Sequence, residues 1–479
     1  MIPLSLRDVA ALTGGSLHPD EPGTAGIVVT GPVVTDSREV GPGSLYVARV
    51  GEHTDGHRFV GAARGGGAVA ALTSHRVDEL PCVVVDDVQV AFGRIARGVL
   101  DRRQDLRVVA VTGSSGKTST KDLLAQVLGT AGETIAPVNS LNGEIGVPLT
   151  VCRVSVATRF LVVEMGARRI GHLTYLTSIA PPDVSIVLNV GSAHVGEFGS
   201  RANIATAKAE LVEALREDGV AILNADDPAV AAMASRTAAR VVTVGVSQPA
   251  DVTASDVELD ELGRASFTLN GFGHSLPVRL RVSGAHQVGN ALAVVAAAVE
   301  CGMSPEDAAA ALDAAGPTSR WRMEVTERAD GVTVVNDAYN ANPDSMRAAL
   351  AALRAIADAA PPSRRTWAVL GEMLELGEES RLEHESLGRL TVALGVDRLV
   401  AVGEGARPVA DAAAAARSTP AGEVSGRGDD ASVWVPDADT AYALLTDELR
   451  RGDVVLLKSS RDAGLRWLGD RLAGLEVPQ

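Results

Sequence analysis

Cysteine is scarce. Cys82, Cys152 and Cys301 are too few, too far apart and odd in number for a disulfide framework or a metal-binding spacing. They read as reduced, buried thiols of a cytosolic protein. Aromatic residues are also few (four Trp, four Tyr, six Phe), which disfavours a surface that stacks nucleic-acid bases. Positive charge falls short of negative, with 44 Lys and Arg against 60 Asp and Glu and a formal net charge of −16. A sequence-independent nucleic-acid binder is therefore disfavoured, and any anion must be met by local cations, metal ions or backbone amides. No apolar run is long enough to span a membrane, and MIPLSLRDVAALTGG has no basic region followed by an apolar stretch, so neither a span nor a signal peptide is expected.

What is present is a chain of 479 residues, 46% hydrophobic and 22% charged. That is the composition of a soluble globular protein of roughly three domains. Residues 1–103 read as short strands and turns with a helix at LSLRDVAALTGG, stopped by Gly14 and Gly15, and a second helix at DVQVAFGRIARGVLDRRQ. From Leu106 the pattern becomes strand, glycine-rich turn and helix. RFLVVEMGA, VSIVLNVGSAH, GVAILNADD and ARVVTVGV are apolar runs of the parallel-strand kind. Residues 104–316 are thus expected to form a doubly wound α/β sheet. The segment DVTASDVELDELGRASFTLNGFGHSLPVRLRVSG is expected to form a small antiparallel insertion within it. Residues 317–479 repeat the alternation in GVTVVND, TWAVLGE, RLVAVG and DVVLLKSS, which predicts a second α/β domain. ADAAAAARSTPAGEVSGRGDD reads as a helix running into a polar loop.

The strand Val108–Val111 runs into Thr112-Gly113-Ser114-Ser115-Gly116-Lys117-Thr118-Ser119. Glycines let successive N–H groups face phosphate oxygens, and the helix that follows adds its positive end. Lys117 supplies a cation for the terminal phosphates and Thr118 a hydroxyl for Mg²⁺. Between its glycines the loop is two residues shorter than the common GxxxxGK[ST] form. Glu164 closes a buried strand where a nucleotide-bound Mg²⁺ would want a carboxylate, although an edge acid or helix cap would look the same. His194 ends a similar strand and is either a metal or phosphate partner or a structural histidine. Lys208, in ATAKAELVEALRE, has neither Glu210 nor Glu213 at a helical ion-pair spacing, and its role stays open.

Taken in order, TGSSGKTST, VVEMGA, LNVGSAHVGEFGS, AKAELVE, GAHQVGNALA, RWRMEV, NDAYNANPDSM and LGEMLELG resemble the Mur ligase family, which makes bacterial peptidoglycan precursors. The resemblance runs over essentially the whole chain, and AYNANPDSM with LGEMLELG is most similar to the last ligase of that set. It implies three domains: a small N-terminal α/β domain for a uridine nucleotide over 1–103, a central P-loop domain over 104–316, and a Rossmann-like C-terminal ligase domain over 317–479. It implies a cytoplasmic, ATP- and Mg²⁺-dependent ligase, a monomer, joining D-alanyl-D-alanine to a UDP-N-acetylmuramoyl-tripeptide through an acyl phosphate.

By the same resemblance, Gly113, Ser114, Ser115, Gly116, Lys117, Thr118 and Ser119 cradle ATP. Glu164, His194 and Thr118 serve Mg²⁺, and Lys208 is a lysine that becomes carbamylated. Asn290 contacts adenine, Arg322 reaches the γ-phosphate, and Asp337, Tyr339, Asn340 and Asn342 hold the nucleoside. Lys458, Ser459 and Arg461 line the C-terminal face. Ser37, Arg38, Asn139 and Asn142 face the sugar nucleotide and its peptide. Asn336 departs from the pattern, standing where many relatives place an Asp before Asp337. The competing readings are a sister ligase adding the third peptide residue, a folylpolyglutamate synthase, and a nucleotide-binding switch without ligase chemistry. A dinucleotide dehydrogenase is disfavoured because a Lys-Thr pair after the glycines suits a triphosphate with Mg²⁺.

Overall fold

The computed structural model describes residues 1–51, 54–191, 195–359, 362–418 and 431–475. The central apolar runs form one nine-stranded sheet. Its order is Thr134–Ile135, Phe160–Glu164, Arg107–Thr112, Val184–Val187, Val220–Asn224, Arg240–Gly245, Val252–Leu259, Arg264–Gly271 and His274–Ser283. The first seven strands are parallel and the last two add antiparallel. Both faces are covered, as continuous β-branched runs require. The helices Lys117–Gly129, Gln287–Glu300 and Pro305–Ala314 pack on one face. On the other lie Gly146–Val151, His172–Ile179 and Arg201–Glu213, together with Val88–Asp101 from the N-terminal region.

The segment expected as a small antiparallel insertion continues the edge of this sheet. Val252 and Thr253 pair in parallel with Val244 and Gly245. Along Arg264–Gly271 burial alternates, which turns Ala265, Phe267 and Leu269 inward to the same core as the helix Gln287–Glu300. The segment has its own apolar face, and the sheet edge is where that face can be buried.

The N-terminal region carries a five-stranded sheet in the order Ser16–His18, Cys82–Val84, Ala70–Thr73, Leu45–Val47 and Val33–Val34, antiparallel only at its first pair. The opening helix Leu6–Thr13 starts on a reciprocal cap between Ser5 and Asp8 and stops at Gly14, whose φ of 73° suits a residue without Cβ. Phe92, Ile95 and Val99 join one apolar cluster with Val147, Val151, Leu176 and Ile179, so the first core continues into the central region.

The C-terminal region holds a six-stranded sheet ordered Glu324–Glu327, Thr333–Asn336, Val454–Lys458, Thr366–Leu370, Arg398–Val402 and Ser432–Val435, parallel except at the first pair. Separate apolar clusters cover its two faces. The expected helix in ADAAAAARS is present as Arg407–Arg417; residues 419–430 lie outside the described residues.

Candidate active site

The phosphate-loop strand lies inside the central sheet, with Phe160–Glu164 on one side and Val184–Val187 on the other. Chain connections leave it in both directions, so a crevice opens at the carboxyl ends of the strands. Register sets the neighbours: Glu164 pairs with Val111, and Val187 with Thr112. Beyond Thr112 the chain turns at Gly116, which has φ 81° and forms the N-cap of Lys117–Gly129. A Cβ at Gly116 would lie 2.8 Å from Asn290 Oδ1, so the loop and Asn290 are in contact only because glycine is there.

The loop is held from below by Asn189. Its Oδ1 accepts the N–H groups of Ser114 and Ser115, both at 2.9 Å. The Ser114 hydroxyl in turn accepts the Gly191 N–H at 2.9 Å. Lys117 Nζ donates to the Gly113 carbonyl at 2.7 Å. Desolvation lowers its pKa, an effect opposed by Glu164 and reinforced by Arg322.

Glu164 is buried and fully engaged. One carboxylate oxygen accepts the Thr118 hydroxyl at 3.0 Å, and the other accepts Ser140 Oγ and Asn142 Nδ2, each at 2.7 Å. Arg322, from the C-terminal region, donates to Thr118 Oγ1 at 3.1 Å. Lys208 is buried on the helix Arg201–Glu213 and makes no ion pair within 4 Å among the described residues. Burial, with the nearby Lys117 charge, drives its pKa well below the usual lysine value. Its neighbouring acids are occupied elsewhere: Glu210 accepts the N–H groups of Gly171 and Thr174, and Glu213 pairs with Arg236.

The C-terminal face completes the cavity. Lys458 Nζ donates to Asp337 Oδ2 at 2.6 Å and to the Asn340 carbonyl at 3.1 Å. The Arg322 guanidinium lies 4.2 Å from the Tyr339 ring centre, and that of Arg461 5.7 Å from it. Asn342 caps the helix Pro343–Asp358 through the Ser345 N–H. Along the phosphate-loop helix, Thr118, Asp122 and Gln126 fall one turn apart. They bond in turn to Arg322, to the Ser319 N–H and to Gly316, so the linker runs antiparallel along the helix that carries the loop.

These groups line one cavity of about 1200 Å³. It gathers Gly113 through Ser119, Asn142, Glu164, Lys208, Asn290, Arg322, Asp337, Tyr339, Asn340, Asn342, Lys458 and Arg461. Ser37, Arg38, Asn139 and Ser459 are outside its lining. Arg38 lies on the N-terminal surface with its guanidinium on Asp36, and buried Ser459 donates to the Ser460 carbonyl, Ser460 being the lining residue. His194 lies outside the described residues.

Sequence reasoning did not single out Asn189, Ser140, or the arginines Arg49, Arg168 and Arg169, which also line the cavity. One signal was available. The chain has only four lysines; Lys117, Lys208 and Lys458 line the cavity, and Lys121 is buried against Asp122 and the Pro137 carbonyl.

The fold and the sequence agree with known proteins. The family profiles described as Mur ligase catalytic domain, middle domain and glutamate ligase domain match residues 32–97, 111–298 and 321–461. The UDP-N-acetylmuramoyl-tripeptide--D-alanyl-D-alanine ligase of Mycobacterium tuberculosis is 48% identical, with 98% of each chain covered. The Escherichia coli protein of the same name is 35% identical, covering 86% of this chain and 88% of that one. Among solved structures, MurF from Acinetobacter baumannii superposes with a TM-score of 0.87 at 30% identity, covering 98% of this chain and 99% of that one. MurF ligase from Thermotoga maritima in complex with ADP gives 0.78 at 28%, covering 93% and 98%. The chain belongs to the Mur ligase family.

Proposed function

We propose that this chain is an ATP-dependent ligase that joins the amino group of D-alanyl-D-alanine to the terminal carboxylate of a UDP-N-acetylmuramoyl-tripeptide. In this reading residues 1–103 hold the uridine nucleotide, 104–316 the ATP, and 317–479 close over both and receive the dipeptide. The observation that carries it is the convergence of Lys117, Thr118, Glu164, Lys208 and Arg322 on one phosphate loop, in a chain 48% identical over its length to a relative bearing that ligase's name.

A carboxylate is a poor electrophile, so ATP must activate it. A carboxylate oxygen attacks the γ-phosphorus, ADP leaves, and an acyl phosphate forms. The amine attacks the acyl carbon, the tetrahedral intermediate expels phosphate, and one proton leaves the nitrogen. Two anions meet in the first step. Lys117, bonded to the Gly113 carbonyl, and Arg322, bonded to Thr118, both reach the loop and would neutralise the charge that develops on the transferring group. Tyr339, against which Arg322 stacks, fixes the plane of that guanidinium.

The donor set fits Mg²⁺, which binds through one or two carboxylates together with nucleotide phosphates. Thr118 and Glu164 touch at the loop, and no group of three His, Cys, Asp or Glu side chains among the described residues forms a closed metal cage. Thr118, Glu164 and a carbamylated Lys208 would hold the ion, whose charge would offset that of the phosphates. Carbamylation requires an unprotonated amine, and the depressed pKa of buried Lys208 supports it. A cytoplasmic monomer acting on nucleotide-linked precursors is part of the same reading; no described helix is long and apolar enough to cross a membrane.

The test is ADP release with ATP, Mg²⁺ and the UDP-muramoyl-tripeptide against a panel of amines. D-alanyl-D-alanine should stand out. Equal turnover with single amino acids would favour a sister ligase, and no turnover with any amine would return the chain to a nucleotide switch.

A further inference from the structure

Arg322 is carried on an unusual turn. The residues on either side of it, Trp321 and Met323, have φ of 58° and 49°, left-handed values that cost a residue with a Cβ about 1 kcal/mol or more each. Such a turn persists only if its surroundings over-determine it. Three carboxylates do so. Glu324 accepts the Trp321 N–H at 2.9 Å, and Asp337 accepts the Met323 N–H at 3.0 Å.

The third carboxylate, Asp470, comes from the far end of the chain, on the helix Leu465–Leu472, and is 1% exposed. It accepts Trp321 Nε1 at 3.0 and 3.1 Å, Arg320 Nη2 at 2.8 Å and Asn336 Nδ2 at 3.1 Å. A Cβ at Gly469 would come within 2.3 Å of the Asn336 amide, so the helix reaches Asn336 only because glycine precedes Asp470. The indole so fixed stacks on Tyr339 with centroids 6.4 Å apart and meets Trp467 edge-on at 5.0 Å, while Tyr339 supports the guanidinium of Arg322. Asn336 also acquires a reason: an aspartate there would set two buried carboxylates against each other, whereas the amide donates a proton to Asp470.

We propose that Asp470 is a positioning residue: by locking Trp321 it fixes the turn that aims Arg322 at the phosphate loop. This rests on the ligase reading above. Asp470 touches no cavity residue except through that chain of contacts, and it lies 148 positions from Arg322 in sequence.

The experiment is a double-mutant cycle in the full-length protein with Asp470→Asn and Arg322→Ala, read by ADP release and by limited trypsin cleavage at Arg320 and Arg322. Asp470→Asn should lower kcat by about 10- to 100-fold, the scale expected for an ångström of misplacement. The KM for ATP and for the acceptor should stay within about threefold. Adding Arg322→Ala should then cost little more than Arg322→Ala alone, because coupled residues are non-additive. Tryptic cleavage at the turn should quicken while the melting temperature stays close to that of the parent. Losses that multiply, or full kcat with unchanged cleavage in Asp470→Asn, would overturn the proposal. If Asp470→Asn fails to fold, Trp321→Phe keeps an aromatic ring beside Tyr339 while losing the Nε1 donor together with its five-membered ring, and the same pattern is required of it. A parent chain that releases no ADP with any amine defeats the ligase reading instead; the trypsin comparison still decides whether Asp470 holds the turn.

Discussion

Gly116→Ala is the most exacting single change in the phosphate loop, because two penalties can be worked out for it. The residue has φ 81°, and an alanine forced into left-handed backbone costs about 1–2 kcal/mol. Its Cβ would sit 2.8 Å from Asn290 Oδ1, 3.2 Å from Nδ2 and 3.3 Å from Leu188 Cδ1. The side-chain amide is the part that can give, and its retreat loosens the 2.9 Å bond from Asn290 Nδ2 to Gln287 Oε1, worth about 0.5–1.5 kcal/mol. Together these come to about 1.5–3.5 kcal/mol, or about tenfold to a few hundredfold in an equilibrium. If the loop keeps its shape, the loss shows as lower stability in calorimetric melting. If the loop relaxes, it shows as weaker binding of a non-hydrolysable ATP analogue in titration calorimetry. The two losses should sum to the stated range. Gly129→Ala, at the other end of the same helix with nothing within 4 Å of its Cβ position, is the control and should be neutral or stabilising by up to about 1 kcal/mol. A Gly116→Ala protein matching its parent in both measurements would refute the reasoning.

Glu164→Gln keeps the shape of the Thr118–Ser140–Asn142 network but removes its charge, and should lower kcat by about 10²–10³ while raising the Mg²⁺ concentration for half-maximal ADP release. Lys208→Ala should be nearly inactive and recover with added short carboxylic acids, which can enter the space left and replace a carbamate; a fully active variant would end that role. Burial pushes the thiols of Cys152 and Cys301 up to about 12. Burial opposes the thiolate, so at pH 8 both stay protonated, and Ellman's reagent should find no reactive thiol in the native protein and three after unfolding.

The phosphate loop and Glu164 were legible in the sequence because local pattern alone places them: a buried strand, then glycines, then a helix puts backbone amides and a strand-end acid at one edge of a sheet. Lys208 was not, since helical spacing cannot distinguish a solvated lysine from one turned into a cavity. The family resemblance of AKAELVE pointed to it, and so does the shortage of lysine in the whole chain. Asn189 was passed over in the run VSIVLNVGSAH, although it follows the strand Val184–Val187 and its amide shapes the loop. Asp470 could not be reached from sequence, because its partners come from two distant segments, Arg320–Trp321 and Asn336, and nothing in RWLGDRL marks a functional acid. The antiparallel segment was expected as an insertion, but its place at the edge of the central sheet depended on a two-residue parallel pairing that no periodicity reveals.

The two kinds of cation are used differently, and the difference bears on mechanism. The chain is strongly acidic, yet seven Lys and Arg besides Lys208 line the cavity against six Asp and Glu, so the anionic substrates meet a better balance of charge there than over the chain as a whole. Arginine supplies the positive charge elsewhere, in ion pairs such as Arg97–Asp101 and Arg354–Asp358. Within the cavity the planar guanidinium of Arg322 lies over the Tyr339 ring, which suits a group that must meet developing charge in one orientation. An ammonium can lose its proton when desolvated, and a guanidinium cannot. The chain keeps lysine at Lys117, where a compact cation reaches the loop carbonyl, and at Lys208, where the depressed pKa makes the amine available for covalent change. Lysine is thus confined to buried or cavity-lining positions, where a point charge or a proton that can leave serves the site better than a fixed guanidinium.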